Sequence, residues 1–196
     1  MTLVLASRSV ARRAVLQGAG VTFETAGSGV DEDAAKAALL AGGADPRGVA
    51  EALAELKALA VSRGRSDLVI GADQTLEFEG RLYDKAETLA EARARLKILR
   101  GKPHRLHSAV AVARDGAVIW RETVSATLTM RAFSDAFLEA YLAAEGGAAL
   151  GSVGCYRLEA QGAQLFASIE GDYFTILGLP LMGLLDLLRR RGELAQ

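Results

Sequence analysis

The chain has 196 residues, 51% of them hydrophobic and 24% charged, which suits one soluble globular domain with a sizeable core. Its formal net charge of −1 excludes a global field for nucleic acid or acidic membranes, so any bound anion must meet a local cluster of bases. The single cysteine, Cys155, excludes an internal disulfide and a thiolate metal cage.

Leu3 to Ala6 reads as a buried first strand, too short for a signal segment, and no run reaches the roughly 18 apolar residues of a membrane span. The expectation is a soluble, cytoplasmic protein with neither a membrane nor a nucleic-acid partner. Val10 to Gln17 follows as a helix, with Ser9 as its N-cap and Gly18 and Gly20 at its end. Val21 to Thr25 alternates like a second strand. Ala34 to Arg63 is helical sequence broken by Gly42-Gly43-Ala44-Asp45-Pro46.

Leu68 to Ala72 is a continuous apolar run, suited to a central strand buried on both faces. Leu89 to Arg100 is an amphipathic helix closed by Gly101. His104 and His107 stand three apart in a strand-like run and therefore on opposite faces, which argues against a histidine metal site. Two strands flank the hairpin turn Arg114-Asp115-Gly116. Ser134 caps a helix to about Ala144. Asp172 to Ile176 reads as a strand. Pro180 starts a last helix that ends in Arg189-Arg190-Arg191, cations that oppose its dipole. With no repeat or linker visible, residues 1–196 form one α/β domain with mixed strands.

Four segments carry candidate chemistry. Ser7-Arg8-Ser9-Val10-Ala11-Arg12-Arg13 stands where a buried strand turns into a helix. Amides at a helix N-terminus bind anions, and hydroxyls and arginine forks add donors. A capped helix with solvated arginines fits the same residues equally well. Asp31-Glu32-Asp33 offers hard oxygen ligands for Mg²⁺, yet three acids before a helix also simply match its dipole. Gly71-Ala72-Asp73-Gln74-Thr75 comes straight after the central strand, which puts Asp73 at the strand's carboxyl end, where catalytic groups of open α/β sheets gather. Asp73 can activate water, hold a metal or merely cap a turn. Lys85, in Tyr83-Asp84-Lys85, matters only if it converges with the others.

Taken in order, these segments resemble the Maf family of nucleotide pyrophosphatases, the septum-formation proteins. Ser7, Ser9 and Arg12 match its Ser-x-Ser-x-x-Arg; Val30-Asp31-Glu32 and Lys57-Ala58 match its next motifs. Gly71 to Gln74 and Leu177-Gly178-Leu179-Pro180-Leu181 match two more. Asp84-Lys85-Ala86 stands for a Gly/Glu-Lys-Pro motif and lacks its proline.

The resemblance implies an α/β fold with an elongated mixed sheet, flanking helices, a cleft between two lobes and a homodimer. It implies hydrolysis of a nucleoside triphosphate at the α-phosphorus, giving a monophosphate and pyrophosphate. Asp73 would be the proton acceptor. Glu32 and Asp73 would hold Mg²⁺ or Mn²⁺. Ser7, Ser9, Arg12, Arg13, Lys57 and Lys85 would surround the phosphates; Arg8 has no assigned role.

Family branches differ at three base-facing positions. The dTTP/UTP branch carries Arg, Thr and Gln, and the 7-methyl-GTP branch Trp, Gln and Glu. Here they are Ala11, Gln74 and Glu159, which leans towards 7-methyl-GTP and the clearing of modified nucleotides. A carboxylate such as Glu159 can accept both N1–H and the exocyclic amine of guanine, whereas uracil and thymine offer one donor. Ala11 cannot supply the stacking that tryptophan would give a cationic base. The competing readings are a dTTP/UTP enzyme, a nucleotide-binding regulator of cell division without turnover, and a phosphatase or nucleotidyltransferase of another α/β family.

Overall fold

The computed structural model describes residues 2–195. Its strands are β1 (Leu3–Leu5), β2 (Glu24–Thr25), β3 (Leu68–Phe78), β4 (Arg81–Tyr83), β5 (Pro103–Arg114), β6 (Ala117–Met130) and β7 (Phe166–Glu170). They form one seven-stranded mixed sheet in the order β2-β1-β3-β5-β6-β7, with β4 also paired to β3. β1 is parallel to β2 and β3, and the other pairings are antiparallel.

The hairpin expected at Asp115-Gly116 joins β5 to β6, and Glu79-Gly80 joins β3 to β4. Both residues of each pair have positive φ (50° and 75°; 51° and 75°), the backbone of a type I′ turn. The helices are α1 (Val10–Gly18), α2 (Glu32–Ala41), α3 (Pro46–Ser62), α4 (Leu89–Leu99), α5 (Asp135–Glu145), α6 (Tyr173–Ile176) and α7 (Leu181–Arg190). Ser9 and Ser134 cap α1 and α5 as expected, accepting from Arg12 N at 3.3 Å and Phe137 N at 3.1 Å. Asp31 and Asp45 do the same for α2 and α3.

Three expectations need correction. Asp172 to Ile176 is not a strand: the Asp172 carboxylate accepts from Thr175 N at 2.9 Å and starts α6. The second strand holds only Glu24 and Thr25 of the expected segment. The central strand runs on to Phe78, because antiparallel pairing with β5 continues through Glu77, so Asp73 lies in mid-strand and not at its carboxyl end.

Two interruptions in regular packing create the working part of the molecule. Along β3, β1 pairs only with Leu68 to Ile70, and β4 only with Leu76 to Phe78. Among the described residues, 71–75 have no strand partner on that edge, so this stretch opens to a crevice rather than to a neighbour. On one face of β3, Leu68, Ile70 and Ala72 join a core with α1 and α7, while Leu76 and Phe78 join a second core with α4 and α5. Gln74 lies between the two cores.

The other face of β3 meets α3. Ala50, Ala54 and Ala58 pack on Ala109, Ala111 and Ala113 of β5, small residues that allow a close approach. It is closest at Gly71, where a Cβ would lie 2.2 Å from Ala54 O and 2.5 Å from Ala58 N. Thr75, further along this face, donates to Pro46 O at 2.7 Å. Gly71→Ala must push α3 off the sheet and is expected to cost about 1–3 kcal/mol of stability, the usual range for overpacking. Urea unfolding measures this; an unchanged midpoint would contradict the close approach.

Candidate active site

The period of β3 sets the centre of the site. Gly71 and Asp73 point to the same face, and Lys57 precedes Ala58, which touches Gly71. The Lys57 ammonium therefore arrives beside Asp73 and donates to its Oδ1 at 2.6 Å. It also donates to Glu32 Oε2 at 2.8 Å, from the first turn of α2. Lys57 and Asp73 are buried, whereas Glu32 is half exposed. An ammonium buried between two carboxylates is stable because each charge neutralises another. The acidic run Asp31-Glu32-Asp33 thus divides its labour: Asp31 caps the helix, Glu32 meets Lys57, and Asp33 faces solvent.

A cleft of about 1690 Å³ opens over this triad. Ser7, Arg8, Ser9, Ala11, Arg12, Glu32, Lys57, Asp73, Gln74, Lys85 and Glu159, all singled out in the sequence, line it. Lys85 sits in the field of the same groups. Desolvation, with Arg12 and Lys57, pushes its pKa below the ordinary lysine value, against the pull of Asp73 and Glu32.

Arg13 does not line the cleft. On α1 the cleft is lined by Val10, Ala11, Arg12, Ala14, Val15 and Gly18, and Arg13 is not among them. Its expected place around the phosphates is not supported.

Arg12 turns inward. Its Nε donates to Gly178 O at 2.8 Å, and its Nη1 to Ala72 O at 2.9 Å and Ser7 Oγ at 3.4 Å. Ala72 O lies on the β3 edge that β1 leaves open, so the guanidinium supplies the donor that a strand would have given. Burial lowers the Arg12 pKa, opposed by the charges of Asp73 and Glu32. Nη2 takes part in none of these bonds. Ser9 Oγ is engaged as the helix cap, and its hydroxyl hydrogen is still a possible donor. Arg8 is exposed at the cleft, near Gly27.

Gln74 Nε2 lies 3.1 Å from Thr175 O, 3.0 Å from Ile176 O and 2.9 Å from Ser108 Oγ. Carbonyl oxygens only accept, so they fix the amide with its nitrogen inward and leave Oε1 as its remaining acceptor. Ala11 lines the cleft half-buried, and Glu159 lines it exposed.

Where the family motif has its proline, Ala86 sets its backbone beside the buried Cys155 in one hydrophobic core. Burial holds the Cys155 thiol pKa above its usual value. Sequence reading missed Lys36, which also lines the cleft and pairs with Asp84. Its signal was spacing: Lys36 stands one turn beyond Glu32 on α2. The two histidines face different partners, His104 the Tyr156 hydroxyl and His107 Ser125 and Glu77.

Residues 2–191 match the Maf family, described as Maf-like protein. The chain belongs to the Maf family. It is 62% identical to a nucleoside triphosphate pyrophosphatase of Caulobacter vibrioides, covering 98% of this chain and 96% of that protein. It is 51% identical to a protein of the same name from Granulibacter bethesdensis, covering 99% of each. A 7-methyl-GTP pyrophosphatase of Rhizobium meliloti is 49% identical, over 98% of this chain and 97% of that protein.

The donor set of this Maf site fits a hard divalent cation. Mg²⁺ is usually held by one or two carboxylates and completed by phosphate oxygens. Here Glu32 and Asp73 converge within 2.8 Å of one nitrogen in the cleft. Among the described residues, no group of three His, Cys, Asp or Glu side chains forms a cage by itself. Phosphate and water oxygens would then complete the shell.

Lys57→Met leaves Asp73 and Glu32 without their shared cation. Removing one partner of a buried ion pair strands the charge that remains, so the variant is expected to lose about 3 kcal/mol of stability. Denaturant unfolding reads it; an unchanged midpoint would contradict the arrangement.

Proposed function

We propose that this chain hydrolyses nucleoside triphosphates at the α-phosphorus, releasing a nucleoside monophosphate and pyrophosphate. The observation that carries this reading is the convergence of Glu32, Lys57, Asp73 and Lys85 in one cleft beside the α1 N-terminus. Phosphoryl transfer asks a protein mainly for positioning and charge neutralisation. Lys85, Ser7 and the amides at the start of α1 face the polyphosphate, and Lys57 fixes Asp73. Asp73 accepts a proton as water forms its bond to the α-phosphorus and the bond to the pyrophosphate oxygen breaks. Held by Glu32 and Asp73, Mg²⁺ or Mn²⁺ would neutralise charge on the phosphates. The names carried by the relatives support this activity.

The base reading leans to 7-methyl-GTP. Gln74 has its acceptor oxygen unspent, and Glu159 can accept two guanine donors. Ala11 offers no stacking surface, which is the point of departure from the 7-methyl-GTP pattern. Relatives carry both the general and the 7-methyl-GTP names. Among the described residues, no helix is long and apolar enough to cross a membrane. We place the enzyme in the cytoplasm, as a homodimer, following the family resemblance.

The test is a nucleotide panel assayed with and without magnesium, with products identified. Metal-dependent pyrophosphate plus monophosphate is expected, with 7-methyl-GTP preferred. A preference for UTP or dTTP would overturn the base reading, and orthophosphate as the sole phosphate product would overturn the reaction. Asp73→Asn should lose turnover by about 10²-fold or more while still binding nucleotide. Full activity in that variant would remove Asp73 as the base.

A further inference from the structure

Lys85 is useful only if its loop stays over the triad, and the proline that would stiffen that loop is absent. Three contacts hold the loop instead. Ala86 packs beside Cys155 in the α4 core. The Asp84 carbonyl accepts from Arg95 Nη1, which also donates to Val153 O at 2.8 Å. Both of these anchors lie on the side of the α4 core. The third crosses the cleft: the Asp84 carboxylate accepts from Lys36 Nζ on α2.

Lys36 and Glu32 are one helical turn apart, so one side of α2 supplies Glu32 to Lys57 and Lys36 to the Lys85 loop. The Lys36 side chain is 17% exposed and its Nζ also lies 3.8 Å from Asp33. Desolvation opposes its charge, but the bond to Asp84 and the charges of Asp84, Asp33 and Asp73 outweigh this and raise its pKa. The ammonium therefore persists throughout the neutral range.

We infer that Lys36 is a positioning residue: by clasping Asp84 across the cleft, it fixes Lys85 at the distance from Glu32 and Asp73 that a polyphosphate requires. This rests on the pyrophosphatase reading of the same cleft. Lys36 acts through the loop and not on phosphate itself. Its removal should therefore act as removal of Asp84 does, and the two losses should not add.

The test measures KM and kcat for the best triphosphate, and the affinity for inorganic tripolyphosphate by calorimetry. Lys36→Met and Asp84→Asn should each raise KM and weaken tripolyphosphate about tenfold, with kcat changed less than about threefold, because a uniform binding contribution is lost. The double variant should be no worse than either single one, and Lys36→Arg should retain most of the affinity. Unchanged affinity in Asp84→Asn, additive losses, or a kcat effect without a KM effect would overturn the clasp. Wild-type protein that binds tripolyphosphate but turns over no triphosphate would sink the proposed function and leave the clasp to the calorimetry. Absence of tripolyphosphate binding would sink the clasp.

Discussion

The site depends on one ammonium held between two carboxylates, and that ammonium depends on how closely a helix can approach a strand. Lys57 reaches Asp73 because Gly71 lets the α3 backbone come nearer than any side chain would allow. The alanines along α3 and β5 continue the close contact. Buried charges of this kind are stable only as a set, since removing one strands the others in a poorly solvated place. The chain thus couples its packing to its chemistry at a single pair of neighbours, Gly71 and Ala58.

The second constraint is an unfinished sheet edge. Because β1 stops at Leu5 and the antiparallel β4 stops at Tyr83, opposite Leu76, the middle of β3 is left to the cleft. An open edge normally carries unmet carbonyls, and Arg12 meets one at Ala72 while tying in Gly178 from the C-terminal segment. Gln74, between the two hydrophobic cores, binds α6 in a similar way. Residues that look like ligand groups in the sequence are therefore also joints of the fold, and the pocket walls are fixed by the same bonds that shape its mouth.

The strong local signals were legible: the Ser9 and Ser134 caps and the Asp-Gly hairpin. The convergence of Glu32, Lys57, Asp73 and Lys85 was also anticipated, through a family resemblance and not through periodicity. What escaped depends on tertiary partners. Asp172 can precede a strand or cap a turn, and only its bond to Thr175 decides. Arg12 and Arg13 are adjacent and chemically alike, yet helical rotation turns one to β3 and the other away from the cleft. Lys36 went unremarked in the sequence because its partner Asp84 is distant along the chain. The alanine after Lys85 looked like a defect until Cys155 was placed beside its backbone.

The most direct measurement is a crystal structure with Mn²⁺ and a nucleotide whose α,β-bridging oxygen is replaced by methylene, using anomalous scattering to find the metal. The account expects the manganese signal at Glu32 and Asp73, and the polyphosphate between the start of α1 and Lys85. A manganese signal away from both carboxylates, or phosphates bound outside this cleft, would contradict it.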